Sequence, residues 1–249
     1  MLRTIHIMWL REVKKYIRSR SRIVATLIQP VFYLLALGYG LGANFKPAGQ
    51  GDYFDFLVPG IIGMSIIFPA ISNGLGIVWD RQFGFLKETL VAPVPRLAII
   101  LGRTLGGATV TTAQGCALLV VALVLGFEPY SWPLIIAAVP IMLLVATLFS
   151  AFGIAIASHF SDMQGFQLIV SLLVFPMFLL SGALFPLHDV PNLLLWLASL
   201  DPLSYGVDAL RMLLSGATHF GLALDLSVLL VTTMICLSAG SYFFSRIET

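Results

Sequence analysis

The sequence predicts an all-α integral membrane protein: one domain over residues 1–249, with six transmembrane helices, an N-terminal interfacial amphipathic helix, a cytoplasmic helical loop and an outer re-entrant helical hairpin. Three observations carry this. Hydrophobic residues make up 59% of the chain and the mean hydropathy is +0.97, too apolar for a soluble domain to cover itself with polar side chains. Charged residues are only 10% of the total and collect at the flanks of long apolar runs. Those runs recur from residue 23 to residue 245 and leave no polar stretch long enough for a second domain.

Residues 1–22 come first. On a helical projection Ile5, Met8, Trp9, Val13, Tyr16 and Ile17 fall on one side and Arg11, Lys14, Lys15 and Arg18 on the other, the pattern of a helix lying in a membrane interface. Anionic headgroups alone would explain the basic face; a docked partner is the competing reading. The segment lacks the compact apolar core of a cleaved signal peptide and is expected to remain in the mature chain.

A bilayer core about 30 Å thick takes roughly 20 mostly apolar residues per helix. Runs of that length without charge lie at 23–42, 56–79, 104–127, 133–158, 163–187 and 226–245. Between the second and third, the loop 80–96 reads DRQFGFLKETLVAPVPR, with Phe83, Leu86 and Leu90 at helical spacing and Pro93 and Pro95 to end it. It is either a short amphipathic helix shaped to be gripped or an ordinary interfacial loop. The segment 188–217 holds two apolar stretches, 192–200 and 205–214, each too short to cross, separated by Asp201 and Pro202. Broken backbone is not tolerated against lipid, so this piece either dips back while packed on protein or lies on the outer surface, and the re-entrant form is preferred.

Orientation follows from Lys and Arg, which collect on cytoplasmic flanks. With both termini inside, twelve of the fourteen are cytoplasmic, while the outer segments keep Lys46 and Arg211 beside seven acids, Asp52, Asp55, Glu128, Asp189, Asp201, Asp208 and Asp225. Seven of the fourteen lie in the first 22 positions, so the net charge of +2 reflects a membrane-facing bias and no nucleic-acid surface.

Several chemistries are missing. No G-x-x-x-x-G-K-[ST] phosphate loop occurs, and the glycines of GYGLG follow an apolar run where no nucleotide fold forms. His6, His159, His188 and His219 are scattered, and Cys116 and Cys236 sit alone in apolar runs, so neither catalytic nor metal-binding residues are assigned. The runs carry no Asp, Glu, Lys or Arg at central depth, which weighs against a proton-driven carrier. Uncharged polar groups do occur there, Gln29, Asn73 and Ser181 among them, for helix packing or for ligand contact. Pro30, Pro59, Pro69, Pro140 and Pro176 imply kinks.

In order and topology the chain resembles the ABC-2 type exporter permeases. The loop carries R-x-x-G-x-x-x-E-x-L-x-x-x-P in Arg81, Gly84, Glu88, Leu90 and Pro93, and the outer segment carries Pro202, Leu203, Tyr205 and Arg211 of N/D-P-L-x-Y-x-x-x-x-x-R. SGALFPL, residues 181–187, is similar to the daunorubicin-resistance and nodulation-factor exporter branch. Asp201 stands where the family commonly has Asn and is expected to cap the following helix in the same way.

The resemblance implies a half-transporter in a bacterial inner membrane. A second copy of the chain completes the pathway, and two copies of a cytoplasmic ATP-binding cassette ATPase dock beneath. ATP and Mg belong to that partner, with no cofactor in this chain. By the same analogy Arg81, Gly84, Phe85, Leu86, Glu88, Leu90 and Pro93 form the coupling element, and the helix with Trp9, Arg11, Lys14, Lys15 and Arg18 also contacts the ATPase. Pro186, Pro202, Tyr205, Asp208 and Arg211 belong to the outer gate. Gln29, Phe68, Asn73, Phe175, Phe178 and Ser181 are the pathway candidates, for an amphipathic or lipid-like cargo. A passive channel and a membrane-embedded lipid-modifying enzyme are the alternatives, the latter drawing on Asp189, Asp201 and Asp208.

Overall fold

The computed structural model describes residues 1–40, 53–83 and 95–245. In chain order the helices are α1 (Leu2–Arg18), α2 (Arg20–Tyr33) continuing as a π-helical run Leu34–Tyr39, α3 (Tyr53–Ser72), α4 (Leu75–Gln82), α5 (Arg96–Val124), α6 (Trp132–Ala157), α7 (Met163–Leu180), a 3-10 turn Leu187–Asp189, α8 (Asn192–Leu200), α9 (Pro202–Ser215) and α10 (Leu222–Ser245). No strand occurs among the described residues.

Five runs are long and apolar enough to cross a membrane: Tyr53–Gln82, Arg96–Val124, Trp132–Ala157, Met163–Leu180 and Leu222–Ser245. Two bent pairs, Leu2–Arg18 with Ile23–Tyr39 and Asn192–Leu200 with Pro202–Ser215, raise the number to as many as seven. The expected span 23–42 is helical through Gly40 but reaches span length only together with α1, and its last two residues lie outside the described ones.

The expected boundaries shift in ways the backbone explains. The second span starts at Tyr53 rather than 56 and extends to Gln82, interrupted by a turn at Asn73 and Gly74. A Cβ on Gly74 would collide with the Gly153 backbone of α6, so the break sits where two backbones touch. The third helix starts at Arg96, eight residues before the expected 104, because Pro95 is extended (φ −61°, ψ 129°) and launches the helix behind it. Residues 96–103, read from the sequence as loop, are therefore helix. The fifth ends at Leu180, not 187, where Ser181 closes the helix and Gly182 turns at φ +70°. The sixth starts at Leu222, taking Asp225 into its first turn.

The helix α3 is the centre: 83% of its span window is buried, packed on α5, α6 and α9. Leu57, Ile61, Ile66 and Ile71 on it are inaccessible to solvent. At the other extreme, α7 and α10 bury only 22% and 17% of theirs. A helix apolar all round and buried is a core helix, while α7 and α10 present most of their surface outward.

The two short helices read from the sequence form, and α8 and α9 meet at 91°. Asp201 accepts a hydrogen bond from the Leu203 backbone N–H at 2.9 Å, Pro202 takes the first helical position, and Gly216 closes α9 at φ +76°. The helix α9 is buried on α3, α6 and α10, whereas α8 exposes Leu193, Trp196 and Leu200.

Candidate functional site

One end of the bundle gathers charge that the sequence had assigned to a loop, at Asp80 and Arg103, and to the N-terminal helix, at Arg11. Asp80, in the last turn of α4, is buried, and its Oδ2 pairs with Nη2 of Arg103 from α5 and, at 3.4 Å, with Nη2 of Arg11 from α1. Arg103 is also buried, and its Nε has no partner among the described residues. One carboxylate thus ties three elements together, and its removal would leave a guanidinium inside the protein uncompensated. Beside it, Arg81 donates to the Phe160 carbonyl at 3.4 Å, holding the end of α4 against the loop after α6.

The helix α1 packs along α5. Met8 and Ile5 pack where Gly102 lacks a side chain, the Trp9 indole N–H donates to Thr109 Oγ1 at 3.0 Å, and Gln114 donates to the Tyr16 hydroxyl at 3.0 Å and Thr26 Oγ1 at 2.9 Å. Of the stripe read from the sequence, Ile5, Met8, Trp9, Val13 and Tyr16 are half-buried. Ile17 stays exposed, as do Lys14, Lys15 and Arg18. Of the expected coupling residues, Arg81 is placed beside the Asp80 cluster; Gly84, Phe85, Leu86, Glu88, Leu90 and Pro93 lie outside the described residues.

At the opposite end lie the expected gate residues, Tyr205, Asp208 and Arg211 each held by partners of its own. Arg211 is buried, donates to the Gly182 carbonyl at 2.8 Å and stacks over the Phe56 ring, 4.1 Å from its centroid. Asp208 accepts from Thr218 Oγ1 and from the backbone N–H groups of His219 and Phe220 at 2.8–2.9 Å, stapling residues 218–220 to α9. The Tyr205 hydroxyl donates to the Ser199 carbonyl at 2.8 Å, joining α9 to α8, and its ring meets Phe220. Pro186 is buried just before the 3-10 turn, and Pro202 opens α9. Asp225, in the first turn of α10, is fully buried with neither carboxylate oxygen partnered among the described residues; it is a charge-bearing group that the expected start at 226 had left outside the span.

The pathway candidates separate into two groups. Asn73, in the turn between α3 and α4, donates to Ser150 of α6 at 3.2 Å, Ser181 donates to the Phe178 carbonyl at the end of its own helix, Phe178 is buried and Phe68 half-buried. Gln29 and Phe175 are exposed. The sequence reading passed over Gln164 and counted Gln167 and Ser171 among the polar groups of the spans, for helix packing or for ligand contact, without naming them among the pathway candidates. All three are exposed on α7 at helical spacing and draw a polar stripe down the outward face of a membrane helix. Their spacing was the available signal; which face they shared was not.

The family model described as ABC-2 type transporter matches residues 3–215. The chain belongs to the ABC-2 type transporter family. Among its relatives, Nodulation protein J of Sinorhizobium fredii is 27% identical over 213 residues, 85% of this chain and 80% of that one. Nodulation protein J of Rhizobium leguminosarum bv. trifolii is 28% identical over 209 residues, 82% and 79% of the two chains. The inner membrane transport permease YadH of Escherichia coli is 29% identical over 231 residues, 90% and 87% of the two chains. The chain is thus a multi-pass membrane protein of a transport permease family, and the matched region takes in Arg11, Asp80, Arg103, Asp208 and Arg211.

Proposed function

We propose that this ABC-2 permease is the membrane half of an ATP-driven exporter, working as two copies above two ATP-binding cassette subunits in a bacterial inner membrane. The observation that carries this reading is the stripe Gln164, Gln167 and Ser171 on the outward face of α7. Amide and hydroxyl groups turned toward hydrocarbon lose their hydrogen bonds to water, and a second copy offers the missing partners or a polar route between the two. Gln29 of α2 is exposed in the same way.

The six-span topology with both termini cytoplasmic puts Arg11, Arg81 and Arg103 on the inner side, in line with the positive-inside rule. The ATPase then docks against the segment following Arg81 and against α1, and the Asp80 cluster links that surface to α4 and α5. No cofactor is assigned to this chain; ATP and Mg belong to the partner. The exposed face of α7 mixes Gln and Ser with Leu168, Leu172 and Phe175, which suits an amphipathic or lipid-like cargo better than a small ion. Asp208, which an outer lipid-modifying enzyme would need as a free carboxylate, is fully engaged by residues 218–220.

Cysteine cross-linking in membranes tests the pairing. Gln167→Cys, in a chain with Cys116 and Cys236 replaced by Ala, is expected to form a disulfide-linked dimer on oxidation. Val124→Cys, on an exposed position of α5, is expected to stay monomeric. Dimers from both or from neither would remove the support.

A further inference from the structure

We infer that the groove between the last two turns of α10 and the first turn of α5 binds an anionic phospholipid. The groove has a volume of about 410 Å³ and is lined by Leu97, Leu237, Ser238, Ser241, Tyr242 and Ser245. Four hydroxyl groups therefore fall on one face of α10, at positions 238, 241, 242 and 245, the spacing that brings residues of successive turns together. At the lip, Arg96 is exposed and its Nη1 donates to the Ser245 carbonyl. A guanidinium has five N–H donors in a planar fork that matches a phosphate, and one bond to Ser245 leaves most of them available.

The same face changes character along the helix. One and two turns before Ser238, its outward positions are Met234, Ile235 and Val231, all more than half exposed. Hydroxyls and a cation at the helix end, followed by apolar side chains deeper in, is the order in which a phospholipid presents headgroup and acyl chains. Depth agrees. A helix rises about 1.5 Å per residue, so the 24 residues of α10 span roughly 36 Å, about 6 Å more than the hydrocarbon core of about 30 Å, which lets its last turn, with Tyr242 and Ser245, reach headgroup level. The carboxyl end of α10 carries a partial negative charge that would repel a phosphate, and both Arg96 and the amino end of α5 offset it. Leu97 and Leu237 give the site an apolar floor, and this selects a lipid over free phosphate.

Native mass spectrometry of the detergent-solubilised full chain, mixed with phosphatidylglycerol or with phosphatidylcholine of the same acyl chains, reads the site directly. The wild type is expected to retain one phosphatidylglycerol per chain with a preference of about fivefold, the effect of one basic residue at a membrane surface. Arg96→Gln is expected to abolish the preference, and Ser241→Leu, which fills the groove while keeping the charge, to displace both lipids. The basic face of α1 is the competing source, so Lys14→Gln with Lys15→Gln is expected to leave the preference intact. Equal retention of the two lipids by wild type, an unchanged preference in Arg96→Gln, or loss in the Lys14/Lys15 variant would each overturn the assignment. Size-exclusion profile and helical circular dichroism report whether a variant folds; if Arg96→Gln does not, Ser241→Leu decides alone, and retention of lipid by it counts against the site.

Discussion

Asp80 is the residue on which the most structure converges. It holds a buried arginine from α5 and a half-exposed one from α1 through a single carboxylate oxygen. Breaking a buried pair by removing one partner costs about 3–5 kcal/mol, while replacing both partners by apolar groups is often neutral. Asp80→Ala is therefore expected to lower the stability of the solubilised protein by about 3–5 kcal/mol and Asp80→Leu with Arg103→Met by much less, whereas Arg11→Gln, at an exposed pair, stays within about 1 kcal/mol. Denaturation monitored by tryptophan fluorescence separates these; equal losses for the single and double variants would deny the pair its buried character. Asp208 invites a second check. Its carboxylate receives three donors from residues 218–220, so Asp208→Ala is expected to release that loop, and hydrogen exchange at His219 and Phe220 should rise at least tenfold, about 1.4 kcal/mol of lost protection. Unchanged exchange there would show that packing alone holds the loop.

Helices are the scale at which the sequence was most informative and also where it misled. Hydropathy placed the apolar runs because a bilayer imposes length, and Asp201 with Pro202 marked the break between α8 and α9 because a cap and a first-turn proline are local signals. What it could not supply was the partner of each face. The stripe of α1 fits a lipid surface as well as a protein groove, and its contact with α5 at Gly102 is tertiary and no local pattern announces it. Residues 96–103 looked like loop because Arg96 and Arg103 are charged, yet Arg103 enters the bundle with Asp80 as counter-charge, a pairing 23 residues apart that no local pattern announces. Docking of α1 at Gly102 gives an element-scale prediction. Gly102→Leu, whose side chain would occupy the place of Met8, is expected to detach α1 and expose Trp9 to a water-soluble quencher, with the rest of the bundle keeping its helical content. An unaltered Trp9 signal would mean that α1 is held by other contacts.

Taken whole, the molecule is a core helix, α3, wrapped by α5, α6 and α9, with α7 and α10 left largely uncovered. One of those uncovered faces, that of α7, mixes Gln164, Gln167 and Ser171 with exposed Leu168, Leu172 and Phe175, and one end of the bundle carries a charge cluster at Asp80, Arg103 and Arg11. A chain without a phosphate-loop sequence that nonetheless belongs to the ABC-2 transporters draws its energy from another subunit in our account. The most direct test is co-purification of the chain from its own membranes, comparing wild type with Glu88→Arg in the loop motif. The account predicts that a nucleotide-hydrolysing ATP-binding cassette subunit co-purifies one-to-one with the wild type and is released by Glu88→Arg, while helical content and elution volume of the permease stay the same. Failure of any such ATPase to associate, with and without nucleotide, would contradict it.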